Sequence, residues 1–197
     1  MKEDNTIIGV LDIQGSVEEH AAMLGRLDHV EVRMVKKLEY LKELDGLVIP
    51  GGESTVMAKL MREYELDVAI KEDVSRGMCV YGTCAGAILV SSNVKGEERF
   101  APLGLIDITV QRNGYGRQLD SFETVVHFDD ENISAVFIRA PQLTKVGKGV
   151  QILSTYKDEI VAVRNQQVLV TTFHPELTDS TVVHRYFVEM CIKKNPT

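Results

Sequence analysis

The sequence contains no tryptophan, only five prolines and only three cysteines in 197 residues. Cys79, Cys84 and Cys191 form no C-x-x-C pair, and an odd number cannot pair fully within the chain. A disulfide scaffold is therefore not expected, and free thiols in a reducing cytoplasm are. Positive charge is also scarce. Twenty-two Lys and Arg stand against 29 Asp and Glu, a formal charge of -7. Phosphate binding needs a basic face, so neither nucleic acid nor an anionic membrane surface is an expected partner. Long apolar runs are missing as well: the stretch from Ile7 to Leu11 stops at Asp12 and follows a polar, acidic start. It is too short and wrongly flanked for a signal peptide or a membrane span. Internal repeats, low-complexity segments and long linkers are absent too.

What remains is an ordinary globular composition, 44% apolar and 26% charged. That length suits one domain, residues 1–197, with a sizeable core. In the first half, strand-like and helix-like segments alternate. Ile7 to Ile13, Val30 to Val35, Leu47 to Ile49 and Met78 to Tyr81 read as strands. Between them Ser16 to Leu27, Ser54 to Glu63 and Val68 to Ser75 read as helices, the first with Ser16 and Glu19 spaced as a capping box. The second half is richer in strands: Leu105 to Val110, Val136 to Ile138, Ile152 to Thr155, Ile160 to Arg164 and Val168 to Phe173. The short link Asn165-Gln166-Gln167 predicts an antiparallel hairpin, and Val183, Phe187, Met190 and Cys191 mark one face of a closing helix that begins near Ser180. The fold class expected is α/β, with a mostly parallel sheet flanked by helices on both faces and additional antiparallel strands.

Three strand ends carry chemistry. Gly82-Thr83-Cys84-Ala85-Gly86 joins a strand to a helix. A nucleophile at so sharp a turn projects from the sheet edge, and glycines on either side let strand and helix pass closely. The helix N-terminus favours a thiolate and offers N–H groups to an oxyanion. A small buried cysteine at a tight turn would fit the same pattern, whereas Cys79 and Cys191 read as core. A catalytic thiol needs a base and an orienter for it. Of five histidines, His174 ends a strand and is followed by Pro175-Glu176. Proline favours an extended residue before it, and residues two apart in an extended chain share a side, so Glu176 is placed to orient His174. His20, His29 and His184 lie on or beside helices, and His127 precedes Asp129-Asp130 in what reads as a solvated turn. The third strand end, Pro50-Gly51-Gly52-Glu53-Ser54, has room for backbone N–H groups to approach a ligand. It could supply an oxyanion donor beside that of Ala85, or be a plain turn into a helix capped by Ser54.

In this order the elbow, the Pro-Gly-Gly turn and His-Pro-Glu resemble the triad (class I) glutamine amidotransferases. Further stretches narrow the likeness: Gly9 to Gly15 with Glu19-His20, Pro50 to Thr55, Arg112-Asn113-Gly114-Tyr115-Gly116-Arg117-Gln118, Asp120 to Glu123, Phe137-Ile138-Arg139-Ala140-Pro141 and Phe173 to Leu177. Over nearly the whole chain these resemble the glutaminase subunits of two-component pyridoxal 5′-phosphate synthases. Departures are Gly114-Tyr115, where that family commonly has Ser-Phe, and Asp12, where it has an apolar residue or glycine.

The resemblance implies a flavodoxin-like class I glutaminase fold with a Cys84, His174 and Glu176 triad. Cys84 would attack the side-chain amide of L-glutamine, forming a thioester and releasing ammonia. Gly52, Glu53, Ser54, Arg112, Ile138 and Arg139 would hold the substrate, and Gly52 and Ala85 would form the oxyanion hole. Arginine suits a carboxylate that can be gripped at two oxygens, although each arginine could equally form a surface ion pair. The implied partner is a (β/α)8-barrel synthase subunit in a hetero-oligomer. Pyridoxal 5′-phosphate would be the product of that complex, so this chain needs no cofactor and no metal. A glutaminase serving another pathway, a cysteine-elbow redox or binding protein, and a cysteine peptidase are the other readings of the same residues.

Overall fold

A computed structural model describes residues 5–112 and 121–194. Residues 113–120, which include the Gly114-Tyr115 departure and the expected Arg117 and Gln118 stretch, lie outside the described residues.

The first half folds as the alternation predicts. The elements run β1 (Thr6–Leu11), α1 (Val17–Leu24), β2 (Val30–Val35), β3 (Gly46–Ile49), α2 (Ser54–Glu63), α3 (Leu66–Arg76), β4 (Cys79–Thr83) and α4 (Ala85–Val90). The second half supplies β5 (Ser91–Lys95), β6 (Ile106–Gln111), β7 (Ser121–Phe128), β8 (Glu131–Ile138), β9 (Gln142–Val146), β10 (Gln151–Tyr156), β11 (Glu159–Arg164), β12 (Val168–Thr171) and α5 (Val182–Lys194). One sheet runs β10-β11-β12-β4-β3-β1-β2, parallel from β12 to β2 and antiparallel at the β10 end. The expected hairpin is β11–β12, with Ala162 opposite Thr171. Its turn is held by Asn165, whose Oδ1 accepts from the N–H groups of Gln167 and Val168 at 2.9 and 2.7 Å.

Both faces of this sheet are covered, which is why its strands read as continuous apolar runs. Side chains alternate: Leu47, Ile49 and Val80 pack with α2, α3 and α4, whereas Val48, Cys79 and Tyr81 pack with α1 and α5. Val183, Phe187, Met190 and Cys191 are all buried, as their spacing predicts.

Three strands escaped the sequence pattern. β5 and β9 flank β6 in a small separate sheet, and β7 pairs with β8 in a hairpin that turns at Asp129-Asp130. β7 alternates exposed and half-buried positions over most of its length, and the apolar face of its two-stranded sheet with β8 covers the main core. Asp129 takes φ 52, and His127 sits across from Asn132, so that segment is the turn it was expected to be. β1 stops at Leu11, short of Ile13, because the chain turns there toward the functional edge.

The capping box expected at Ser16 and Glu19 does not form. Ser16 occupies the N-cap position of α1 but makes no side-chain cap. Its hydroxyl instead donates to Glu176 Oε1 at 2.7 Å, since an ionised carboxylate is the stronger acceptor.

Cys79 and Cys191 are buried beside one another between β4 and α5; this neighbour and burial push the Cys191 thiol well above its ordinary range. Replacing either by alanine opens a cavity of about one sulfur and should cost on the order of 1 kcal/mol. Urea unfolding should show a lower midpoint at unchanged slope, with the far-ultraviolet spectrum retained.

Candidate active site

The carboxyl ends of β1, β3, β4 and β12 meet at one edge, where open α/β sheets place their sites. At the end of β4, Cys84 takes φ 47 and ψ -100, a conformation that costs a non-glycine residue energy and is kept only where its surroundings enforce it. Its N–H donates to the Thr171 carbonyl of β12, and its own carbonyl accepts from Ile88 in α4. The flanking glycines are required by contact. A Cβ on Gly86 would lie 2.0 Å from the Ile49 carbonyl oxygen, and one on Gly82 would lie 2.7 Å from the Gly86 backbone.

His174 and Glu176 stand beside the elbow, both nearly buried. His174 Nδ1 lies 2.7 Å from Glu176 Oε1, and the Cys84 sulfur acts on the same ring electrostatically. The contact expected between the two residues is present, but its local geometry is not an extended dipeptide. Pro175–Leu177 forms a 3-10 turn, and this brings the carboxylate back under the imidazole. Burial opposes the charged ring, yet the Cys84 sulfur and the Glu176 carboxylate outweigh it and raise His174 from an ordinary 6.5 to about 10. Burial likewise opposes the Glu176 charge, but His20 and His174 hold its carboxyl well below the usual range.

The turn after β3 closes over this pair. A Cβ on Gly51 would stand 2.4 Å from His174 Cε1 and 3.4 Å from Cys84 Cβ, so only glycine permits the approach. The Gly51 carbonyl accepts from the Ser16 N–H, and Gly15, at φ 108, leaves room for it. Beside Gly52, Gln14 Oε1 accepts from the Glu53 N–H at 2.7 Å. The α2 cap differs from the expectation at Ser54: Glu53 caps the helix, accepting from the N–H groups of Thr55 and Val56. Its two carboxylate oxygens reach both donors, whereas Ser54 is already the first helical residue and is buried.

Arg112, at the end of β6, reaches the same place. Its guanidinium donates to Glu53 at 3.2 Å, Glu97 at 2.6 Å and Thr55 at 3.3 Å. Arg99 and Arg112 overcome the partial burial of Glu97 and draw its carboxyl down to about 2, with Arg99 the stronger influence. From the other side, the tip of β8 brings in the Ile138 carbonyl, 3.8 Å from the Cys84 sulfur, followed by the exposed Arg139 at φ 44. The His174 N–H donates to Val136 in the same strand, which fixes β8 against the triad. Cys84, His174, Glu176, Gly52, Glu53, Ser54, Arg112, Ile138, Arg139 and Ala85 therefore share one edge of the fold. Among the described residues, no group of three or more His, Cys, Asp or Glu side chains is placed to hold a metal.

Sequence reasoning passed over three residues here. Ser16 reads as a helix cap, His20 as a helical histidine within a longer likeness, and Gln14 only as part of that likeness. Ser16 and His20 do lie one helical turn apart, a spacing that puts both on one face of α1.

The sequence matches the SNO glutamine amidotransferase family over residues 10–193. It is 47% identical over 189 residues to the pyridoxal 5′-phosphate synthase subunit PdxT of Clostridium botulinum, covering 94% of this chain and 97% of that one. The subunit of the same name from Niallia circulans is 49% identical over 185 residues, covering 93% and 96%. A crystal structure described as a glutamine amidotransferase superposes with a TM-score of 0.90 at 40% identity, covering 93% of this chain and 98% of that one. A glutamine amidotransferase from Thermotoga maritima shares the fold, with a TM-score of 0.64 at 12% identity over 98% of this chain and 86% of that one. With identity near one half over almost the full length of its relatives, and with the family match spanning both halves of the site, the chain belongs to the SNO glutamine amidotransferase family.

Proposed function

We propose that this chain, as one glutaminase domain over residues 1–197, hydrolyses L-glutamine and hands the ammonia to a (β/α)8-barrel synthase subunit that makes pyridoxal 5′-phosphate. The row in which Glu176 is hydrogen-bonded to His174 and His174 stands beside Cys84 carries the reading, supported by family membership. The Cys84 sulfur, with His174 holding the proton, attacks the side-chain amide carbon of glutamine. As the tetrahedral intermediate collapses, the C–N bond breaks, His174 passes its proton to the leaving nitrogen, and ammonia departs from a glutamyl thioester. Water then adds to the thioester with His174 as base, and glutamate leaves as the C–S bond breaks. The N–H groups of Gly52 and Ala85 face the oxyanion in this scheme.

Substrate binding falls to the residues around the row. Glu53 and Ser54 accept from the α-ammonium group, Arg112 and Arg139 attract the α-carboxylate, and the Ile138 backbone closes the pocket. Arg112 already contacts Glu53 and Glu97, so its charge also keeps the Glu53 carboxylate in place. Three cysteines read as thiols suit a cytoplasmic setting for the complex. No described helix is long and apolar enough to cross a membrane.

Glutamine hydrolysis measured with the synthase subunit present tests the reading. Cys84→Ala should lower turnover by at least about a thousandfold, the scale of losing a covalent nucleophile, while the protein keeps its unfolding midpoint. Wild-type turnover in that variant would remove Cys84 from the chemistry. Arg112→Ala and Arg139→Ala should raise the KM for glutamine more than they lower kcat. Unchanged KM in both would dismiss them as carboxylate ligands.

The triad also makes stability depend on pH. His174 is raised in the fold, so its contribution is complete below about 6.5 and disappears as pH climbs through about 10. Glu176 is lowered, so its contribution is present above the ordinary 4.5 and falls away in acid. The difference in stability between wild type and Glu176→Gln should therefore be greatest between these values. Thermal unfolding across a pH series should show it shrinking on both sides, and a difference that grows from pH 7 to 10 would contradict the assignment.

A further inference from the structure

Behind the triad lies a second row of buried polar groups that the proposed chemistry does not use. Glu176 has no exposed side-chain surface, and among the described residues its hydrogen-bond partners fall on one oxygen. Oε1 receives Ser16 Oγ and His174 Nδ1, each at 2.7 Å, and lies 3.5 Å from His20 Nε2. That same His20 nitrogen stands 3.1 Å from Thr83 Oγ1, the residue next to Cys84 in the elbow. On its other side His20 Nδ1 meets His184 Nε2 of α5 at 2.9 Å, and the edge of Tyr81 completes the enclosure. His20 and His184 are both wholly buried.

The donors and acceptors in this row fix its direction. Two oxygens, one of them a carboxylate, face His20 Nε2, so a lone pair there would meet only repulsion from Glu176. Nε2 therefore carries the proton. A second proton on His20 Nδ1 would donate to His184 Nε2 and push the His184 proton onto Nδ1; with Nδ1 bare, His20 accepts there and the shared hydrogen belongs to His184 Nε2. That arrangement leaves His184 Nδ1 without a proton, and Nδ1 is the one ring nitrogen of the pair with no protein partner among the described residues. The opposite assignment would bury an N–H with no acceptor, which is the costlier choice. Burial above all lowers His184 to about 3, which keeps its ring neutral at physiological pH.

We propose that His20 is a positioning residue of the triad. Its Nε2–H, aimed by His184, holds the Glu176 carboxylate beneath His174 and ties it to Thr83 at the base of the elbow. Together with Ser16, one turn earlier on the same helix, it fixes which way the carboxylate faces. This role rests on the glutaminase reading for its kinetic consequence but not for its geometry.

The test begins with the unaltered protein. Long-range nitrogen–proton correlation on histidine-labelled protein should show His20 protonated at Nε2 and bare at Nδ1; a His20 proton on Nδ1 alone overturns the proposal. In variants assayed with the synthase subunit, His20→Ala should lower kcat by about ten- to hundredfold, the worth of one hydrogen bond to a charged group, with little change in the KM for glutamine. It should also lower the His174 pKa read from its ring signals. His20→Gln restores an N–H near the Nε2 position and should recover more of both than His20→Asn, whose amide reaches only the Nδ1 position. Wild-type kcat with an unmoved His174 pKa in His20→Ala, or Asn matching Gln, overturns it. If the alanine variant does not fold, the tautomer and the Gln–Asn comparison decide. A wild-type protein without glutaminase activity would defeat the glutaminase reading, and the tautomer and His174 pKa would still judge His20.

Discussion

The Glu176 carboxylate is the constraint around which this edge of the molecule is arranged. An ionised carboxylate removed from water is tolerated only when charges and donors replace the solvent it loses. The replacements come from three directions: His174 on its own turn, Ser16 and His20 on α1, and through His20 the buried His184 of α5. Ser16 gives up the N-cap of its own helix to serve this oxygen. In return, Glu176 helps to hold the neighbouring His174 in its charged form.

Such a row can assemble only if backbones approach more closely than side chains normally allow. At Gly15, Gly51 and Gly86 a Cβ would fall within 1.9 to 2.4 Å of a neighbouring carbonyl oxygen or imidazole carbon. Their absence of side chains lets the loops after β1 and β3 lock together, lets α4 lean on the end of β3, and lets His174 rest on the Gly51 backbone. Packing and chemistry meet here: the positive φ of Cys84 is held by hydrogen bonds to β12 and α4, elements buried on both sides.

Around that core the residues proposed to face the substrate are mounted on less buried pieces. Glu53 caps α2, Arg112 spans Glu53 and Glu97, and Ile138 arrives on a hairpin tip. A buried row with a more exposed rim suits the proposed reaction, in which a small substrate has to enter while the Cys84, His174 and Glu176 geometry stays constant.

The alternation of strands and helices, the elbow at Cys84 and the pairing of His174 with Glu176 are legible in the amino-acid order alone. These depend on neighbours a few positions apart: apolar periodicity, glycine spacing and the restriction that proline places on the chain before it. The 3-10 turn at Pro175–Leu177 was a local error in a correct pairing, since either geometry brings residues two apart within reach. Partners that lie far apart in the chain are chosen by folding. Ser16 finds Glu176 across 160 positions and His20 finds His184 across 164, and no local pattern marks either contact. Arg112 reaches back 59 positions to Glu53, and the β7–β8 hairpin finds its place over the core only when α5 and β12 are present to receive it. A hydroxyl or an imidazole serves equally as a helix cap, a surface group or a buried donor. The fold chooses among these uses, because it alone decides which acceptor is buried within reach.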